Sequence, residues 1–210
     1  VLFEFNNNRW SLVGSDTYRL VVKNIYNENW NFTADRCLVP AKALRELLKI
    51  LDQSDGQVVL FPSNEQLIFD LGTVYFAARL LNEKYPDISS VIPERYLTRA
   101  TINRREMEET IGRAALLAEG PNNAVHLSVA NSSLTVRVSS QIGRMEEKIS
   151  IQYEGEEVEL YINSRFIMDI LKAAPAEAMV IDFHGKTGPV IFRLPEDENY
   201  LYLVLPIKMD

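Results

Sequence analysis

Ala41-Lys42-Ala43-Leu44-Arg45-Glu46-Leu47-Leu48-Lys49-Ile50-Leu51 and Ser164-Arg165-Phe166-Ile167-Met168-Asp169-Ile170-Leu171-Lys172-Ala173-Ala174 are the two stretches that decide the fold. In the first, Leu44, Leu47, Leu48 and Leu51 recur at helical spacing and point one way, while Lys42, Arg45 and Lys49 cluster opposite. In the second, Ile167, Ile170 and Leu171 point inward and Arg165 and Lys172 away. One shift carries Lys42 onto Arg165, Glu46 onto Asp169 and Lys49 onto Lys172. Each basic stripe therefore holds one acid.

Strand patterns follow both helices. After Pro40, suited to a first helical position, and its helix come Gln57 to Phe61, Gln66 to Leu71 and Thr73 to Leu81. After the second come Met179 to Phe183, Pro189 to Leu194 and Tyr200 to Leu205. A unit of one helix and three strands thus occurs twice. Tyr200 to Leu205 has no polar interruption, which fits a strand covered on both faces. Pro206 ends it and leaves Ile207 and Met209 either to lie back on the core or to rim a groove for another protein.

Outward from these repeats, Val1 to Phe5, Trp10 to Val13 and Tyr18 to Ile25 read as strands. The two prolines between Tyr85 and Arg95 mark a linker region. A further helix, Arg104 to Ala118, carries Met107, Ile111, Ala114, Ala115 and Ala118 on one side. Four strand runs follow it: Ala124 to Val129, Leu134 to Ser139, Met145 to Tyr153 and Glu157 to Ile162. The fold class is α+β, with domains expected at 1–93 and 104–210 and a linker at 94–103.

Composition narrows the function. Apolar residues make up 47% and charged ones 24%, ordinary for a globular chain. No apolar run approaches the roughly 18 to 20 residues that span a bilayer, and no basic leader opens the chain, so a cytoplasmic protein is expected. Cys37 has no disulfide partner, and His126 and His184 alone make no metal-ligand set. The chain opens inside a strand pattern without Met and reads as a fragment. His184-Gly185-Lys186-Thr187-Gly188 fits a hairpin turn better than a phosphate loop. Paired acids such as Glu108-Glu109 have no nucleophile or base beside them, so no catalytic residue, cofactor or metal is assigned.

Two features point to binding. In a chain of net charge -7, two related helices with cationic outer faces are suited to phosphates, through backbone contacts that ignore sequence. An ordinary solvated helix face would look the same. Gly14-Ser15-Asp16-Thr17-Tyr18-Arg19-Leu20 is a turn running into a strand, and Tyr18 and Arg19 are residue types that favour binding surfaces.

Ser15-Asp16-Thr17-Tyr18-Arg19-Leu20, Leu80-Leu81-Asn82-Glu83-Lys84-Tyr85-Pro86-Asp87 with Val91-Ile92-Pro93, and Arg113-Ala114-Ala115-Leu116-Leu117 occur in this order. Together with the helix start at Asn163 and the tail Tyr202 to Met209, they resemble the bacterial sliding clamp family, the beta subunit of DNA polymerase III. The resemblance spans nearly the whole chain. It implies two clamp-type domains, a middle one lacking its first helix and strand and a complete last one, from a ring-forming homodimer of three domains per subunit. Helices would line the hole, and Lys42, Arg45, Lys49, Arg105, Arg165 and Lys172 would face duplex DNA.

The resemblance also implies a groove for short peptides of the DNA polymerase III catalytic subunit, the clamp loader and repair proteins. Carried over by position, it takes Ser15, Thr17, Tyr18, Arg19, Leu20, Pro86, Ser90 and Val91, then Asn163, Phe166, Thr187, Pro189, Leu203, Leu205, Pro206, Ile207, Lys208 and Met209. Thr17 stands where the family usually has Gly, and Ser90 where some members have Arg. Leu116, Leu117, Glu146 and Glu147 match the subunit contact. The function implied is that of a non-catalytic processivity factor of DNA replication. The alternatives are a peptide-binding adaptor with no nucleic-acid role and, less well supported, a small-molecule enzyme.

Overall fold

A computed structural model describes residues 1–28, 32–51 and 56–208 of the chain. It divides into two compact units, Val1–Ser15 with Val22–Ile88, and Asp16–Val21 with Ser89–Asp210.

In the first unit, β1 (Leu2–Asn7), β2 (Arg9–Ser15), β3 (Arg19–Tyr26, whose first residues belong to the other unit) and β4 (Phe32–Leu38) pair in the order β3-β2-β1-β4. The helix α1 (Ala41–Leu51) leads into β5 (Val59–Pro62), β6 (Gln66–Asp70) and β7 (Tyr75–Arg79), which form a second, antiparallel sheet. Phe3, Phe5, Val39, Leu47, Leu67 and Phe69 meet in its core.

The second unit repeats this plan and adds to it. After β8 (Thr98–Asn103) and α2 (Arg104–Leu117), the strands β9 (Ala124–Ala130), β10 (Ser133–Ser139), β11 (Arg144–Ser150) and, past β12 (Gln152–Gly155), β13 (Val158–Asn163) give one sheet. Its order, β11-β10-β9-β13, reproduces that of the first unit's sheet. The helix α3 (Ser164–Ala173) is followed by β14 (Ala178–Phe183), β15 (Val190–Leu194) and β16 (Asp197–Val204). These continue a sheet ordered β12-β8-β14-β15-β16. The internal repeat expected from the two helices is thus a repeat of topology.

Why the helices begin where they do is visible locally. Asn103 caps α2 by accepting from Glu106 N, and Asn163 caps α3 by accepting from Arg165 N. Met107, Ile111 and Ala114 of α2 and Ile167, Ile170 and Leu171 of α3 are buried in one core with both sheets. At about 1.5 to 3 kcal/mol per large side chain, this burial outweighs helix propensity. Arg104 ties the helices together. Its guanidinium donates to Leu171 O (2.7 Å), Ala176 O (2.8 Å) and Glu108 Oε2 (2.6 Å), satisfying carbonyls at the end of α3.

Three expectations are corrected. Residues 98–103, read as linker, form β8, in which Thr98, Ala100 and Ile102 face the core. Small side chains make that alternation weak in the sequence. The run Met145 to Tyr153 divides at the buried Ile151 into β11 and β12, which join different sheets. Leu48, read as inward, is 57% exposed, whereas its counterpart Leu171 is fully buried. The second unit has α2 packed along α3. Among the described residues the first unit has α1 alone, and Leu48 rims a cleft of ≈ 390 Å³ with Leu44, Leu47, Leu51, Phe3 and Trp10.

Asp182 is the charged residue buried within the second unit's sheet. Its carboxylate accepts from Arg99 (2.6 and 2.8 Å) and Arg193 (2.9 Å), and Arg99 lies 4.0 Å over the Tyr96 ring. Burial opposes ionisation, but the two guanidiniums outweigh it and hold the carboxyl below its ordinary pKa. A lowered folded pKa adds stability above the unfolded carboxylate value, and that stability is lost as pH falls through the folded value. Asp182→Asn is therefore expected to cost about 3 kcal/mol at neutral pH. Denaturant melts should show the difference from the native chain shrinking below about pH 4.

Candidate functional site

The Gly14 to Leu20 turn is built around Asp16. Its carboxylate accepts from Tyr18 N (3.3 Å), Arg19 N (3.2 Å) and Arg19 Nε (2.8 Å), the side-chain-to-backbone pattern that makes Asp a turn former. Closing so tightly places Thr17 at φ 74°, in the left-handed region. A β-branched residue is strained there, which gives a physical reason for Gly at this position.

The turn delivers two side chains to α3. Tyr18 is 63% exposed and stacks on Phe166 with ring centroids 6.5 Å apart. The Arg19 guanidinium sits 4.5 Å from the same ring's centroid and donates through Nη1 to the Asp169 carboxylate and to Tyr202 Oη (3.3 Å). Tyr202 in turn donates to Phe166 O (3.1 Å). Burial pulls the Arg19 pKa down, but its bonds to Asp169, Asp16 and Tyr202 more than offset this and raise it. Burial also pushes the Tyr202 phenol up, so both groups keep their protons through the physiological range.

The tail completes the surface. Leu205 N donates to Tyr18 O (2.9 Å) just past the end of β16, leaving the Leu205 side chain exposed. Ile207 N donates to Tyr161 O (2.7 Å) on β13. Thr187, Pro206, Ile207 and Lys208 then line a concavity of ≈ 500 Å³ with Tyr161 and His126. Burial holds His126 below its ordinary pKa despite Glu159 nearby.

Of the expected groove residues in this unit, the structure gathers Tyr18, Arg19, Phe166 and Leu205 at one place and Thr187, Pro206, Ile207 and Lys208 at another. Leu20 and Leu203, at 4% and 3% exposure, pack in the core beneath this surface. Asn163 spends its side-chain oxygen on the α3 cap, and the Pro189 carbonyl contacts His184 Nδ1 (2.7 Å). Ser90 and Val91 lie exposed on a short 3-10 turn. Ser15 and Pro86 are exposed residues of the other unit, and Met209 lies outside the described residues. The Tyr202 hydroxyl and Tyr161 join these residues although neither is among the expected groove residues. A buried tyrosine needs a partner for its hydroxyl, which was the available signal.

The cationic residues are all exposed: Lys42, Arg45 and Lys49 on α1, Arg105 on α2, and Arg165 and Lys172 on α3. Lys49 pairs with Glu46 (2.9 Å) and Arg105 with Glu109 (3.4 Å). Elsewhere in the second unit, Leu116 is 79% exposed and Leu117 half-buried. Glu146 pairs with Arg137 (2.9 Å) and Glu147 with Arg113 (2.6 Å). Among the described residues no three or more His, Cys, Asp or Glu converge as a metal site, and no helix is long and apolar enough to cross a membrane.

Thr17→Gly should relieve the strained turn and stabilise the chain by about 1 kcal/mol, after the greater chain entropy of Gly is subtracted. A chemical-denaturation midpoint that stays put or falls would show that the turn carries no such strain.

Two family models match end to end: the central domain of the DNA polymerase III beta subunit over residues 1–87 and its C-terminal domain over 89–208. A beta sliding clamp of Staphylococcus epidermidis is 33% identical over 205 residues, 96% of this chain and 54% of that protein. One of Staphylococcus aureus is 32% identical over 197 residues, 92% of this chain and 52% of that protein. The crystal structure of the DNA polymerase sliding clamp from Bacillus subtilis matches all of this chain and 56% of its own, with a TM-score of 0.94 at 31% identity. The chain spans about half the length of the curated relatives it matches. With both domain models laid along nearly its full length, the chain belongs to the DNA polymerase III beta subunit family.

Proposed function

We propose that this chain is the central and C-terminal part of a sliding clamp, a non-catalytic cytoplasmic processivity factor that tethers DNA polymerase to duplex DNA. The boundary between the two domains is proposed near Ile88, where one family match gives way to the other. The single observation that carries the binding role is the surface of the second unit, where Tyr18, Phe166 and Leu205 are brought together from three distant parts of the sequence. Scattered exposed apolar residues are normal in soluble proteins, but a gathered set beside a fixed arginine supports a peptide site.

The partners proposed for this surface are short segments of the polymerase catalytic subunit, the clamp loader and repair proteins. Two or three apolar anchors would give about micromolar affinity, roughly -8 kcal/mol, suited to exchange between partners. The exposed cations on α1, α2 and α3 are proposed to face DNA, making backbone contacts that weaken with salt. Leu116, 79% exposed on α2, is proposed as the centre of a homodimer contact in the full-length protein, the contact that the family resemblance implies.

Truncation after Leu205 is expected to abolish binding of a clamp-binding peptide, read by fluorescence polarisation, while circular dichroism stays unchanged. Undiminished affinity would remove Pro206 to Lys208 from the site. Leu116→Arg in the full-length parent is expected to convert dimers to monomers in sedimentation velocity. A dimer that persists would move the subunit contact elsewhere.

A further inference from the structure

The two basic helix faces are related in sequence, yet they dispose of their acid differently. On α1, Glu46 keeps its partner on the helix: Lys49 Nζ donates to both of its oxygens at 2.9 Å. That is the i,i+3 pairing any exposed helix offers, and Lys49, with Lys42 and Arg45, holds the Glu46 carboxyl below its ordinary pKa. On α3, Asp169 occupies the matching place, three residues before Lys172 and four after Arg165. It pairs with neither. Its carboxylate is taken by Arg19, which lies 150 residues away in the chain. Among the described residues Arg165 and Lys172 have no ion pair, and both are exposed.

Arg19 is held in place from several sides. Its Nε is fixed by Asp16, its guanidinium lies on the Phe166 ring, and Tyr202 Oη accepts from the nitrogen that also reaches Asp169. A side chain so restrained has little freedom left to lose on pairing, unlike a free lysine on a helix surface. We propose that Arg19 is a positioning residue for the α3 face: by holding Asp169 away from Arg165 and Lys172, it keeps both cations available to a polyanionic backbone. This rests on the proposed DNA-facing role of α3. It links that face to the peptide surface, since one guanidinium serves both. Without Arg19, Asp169 would turn to Arg165 or Lys172 as Glu46 does to Lys49, and the face would lose the use of one cation.

The test is a titration of the isotope-labelled full chain with a duplex oligonucleotide at low salt, followed by NMR shifts of α3 amides, which register weak binding. Arg19→Gln is expected to weaken binding about two- to fivefold, the range of one exposed ion pair. It should also lower the salt slope by about one. Asp169→Asn alone should leave affinity unchanged, since Arg19 already occupies that carboxylate, whereas added to Arg19→Gln it should restore native affinity. Equal affinity for Arg19→Gln and native chain, or no restoration in the double variant, would overturn the proposal. A twofold or larger gain from Asp169→Asn alone would overturn it without recourse to Arg19→Gln.

The control is Arg165→Gln with Lys172→Gln. If that variant binds duplex as the native chain does, or if the native chain gives no α3 shifts, the DNA-facing reading itself fails and the proposal with it. A response to the control but not to Arg19→Gln leaves that reading intact and removes only the role of Arg19.

Discussion

A helix with one apolar stripe stays folded in water only if something apolar is laid along it, and in this chain sheets do so. Ile167, Ile170 and Leu171 are sealed by the sheets of the second unit and by α2, so α3 has a single possible orientation. Everything on its other side follows from this. Arg165, Asp169 and Lys172 must point outward, and Phe166, at the margin of the stripe, must lie where the Asp16 turn can reach it. The surface proposed for binding is therefore a by-product of how α3 is buried. In the first unit the same logic is visible by its incompleteness, because Leu48 has the chemistry of a core residue and the exposure of a surface one.

The turn at Asp16 concentrates several demands in few residues. One carboxylate organises two backbone amides and one guanidinium, and that guanidinium then meets an aromatic ring, a second carboxylate and a phenol. Charged hydrogen bonds of this kind are stronger and more directional than neutral ones. They fix where Tyr18 points, at the expense of a strained Thr17. An unfavourable backbone conformation persists only where its surroundings over-determine it, as the bonds of Asp16 and Arg19 do here.

The sequence showed some of this plainly and hid the rest for physical reasons. Helices α1, α2 and α3 were legible because periodicity, Pro40 and the capping Asn163 agree. The duplicated topology was legible because both the apolar and the basic stripes repeat at the same shift. Strand β8 was not, since Thr98 and Ala100 carry little hydrophobic signal. The division at Ile151 was not, since a continuous β-prone run does not say which sheet each half will join. The family resemblance brought Arg19 and Phe166 together as neighbours. Their geometry, and above all the choice of Asp169 by Arg19, depends on contacts across 150 residues that no local pattern encodes. A motif marks which residues surround a site without saying how deeply each is buried, as Leu20 and Leu203 are.

Among the described residues beyond Val204, Leu205 bonds to Tyr18 and Ile207 to Tyr161 through their backbones, where the strand before them is held along its length. At about 1 kcal/mol net each, breaking these two bonds costs far less than the roughly 5 to 15 kcal/mol needed to unfold a domain. Leu205 to Lys208 can therefore open locally and reseat while β16 stays in its sheet. A ligand settling against Pro206 and Ile207 would help to hold these bonds closed, so its grip and the order of residues 205–208 would rise together.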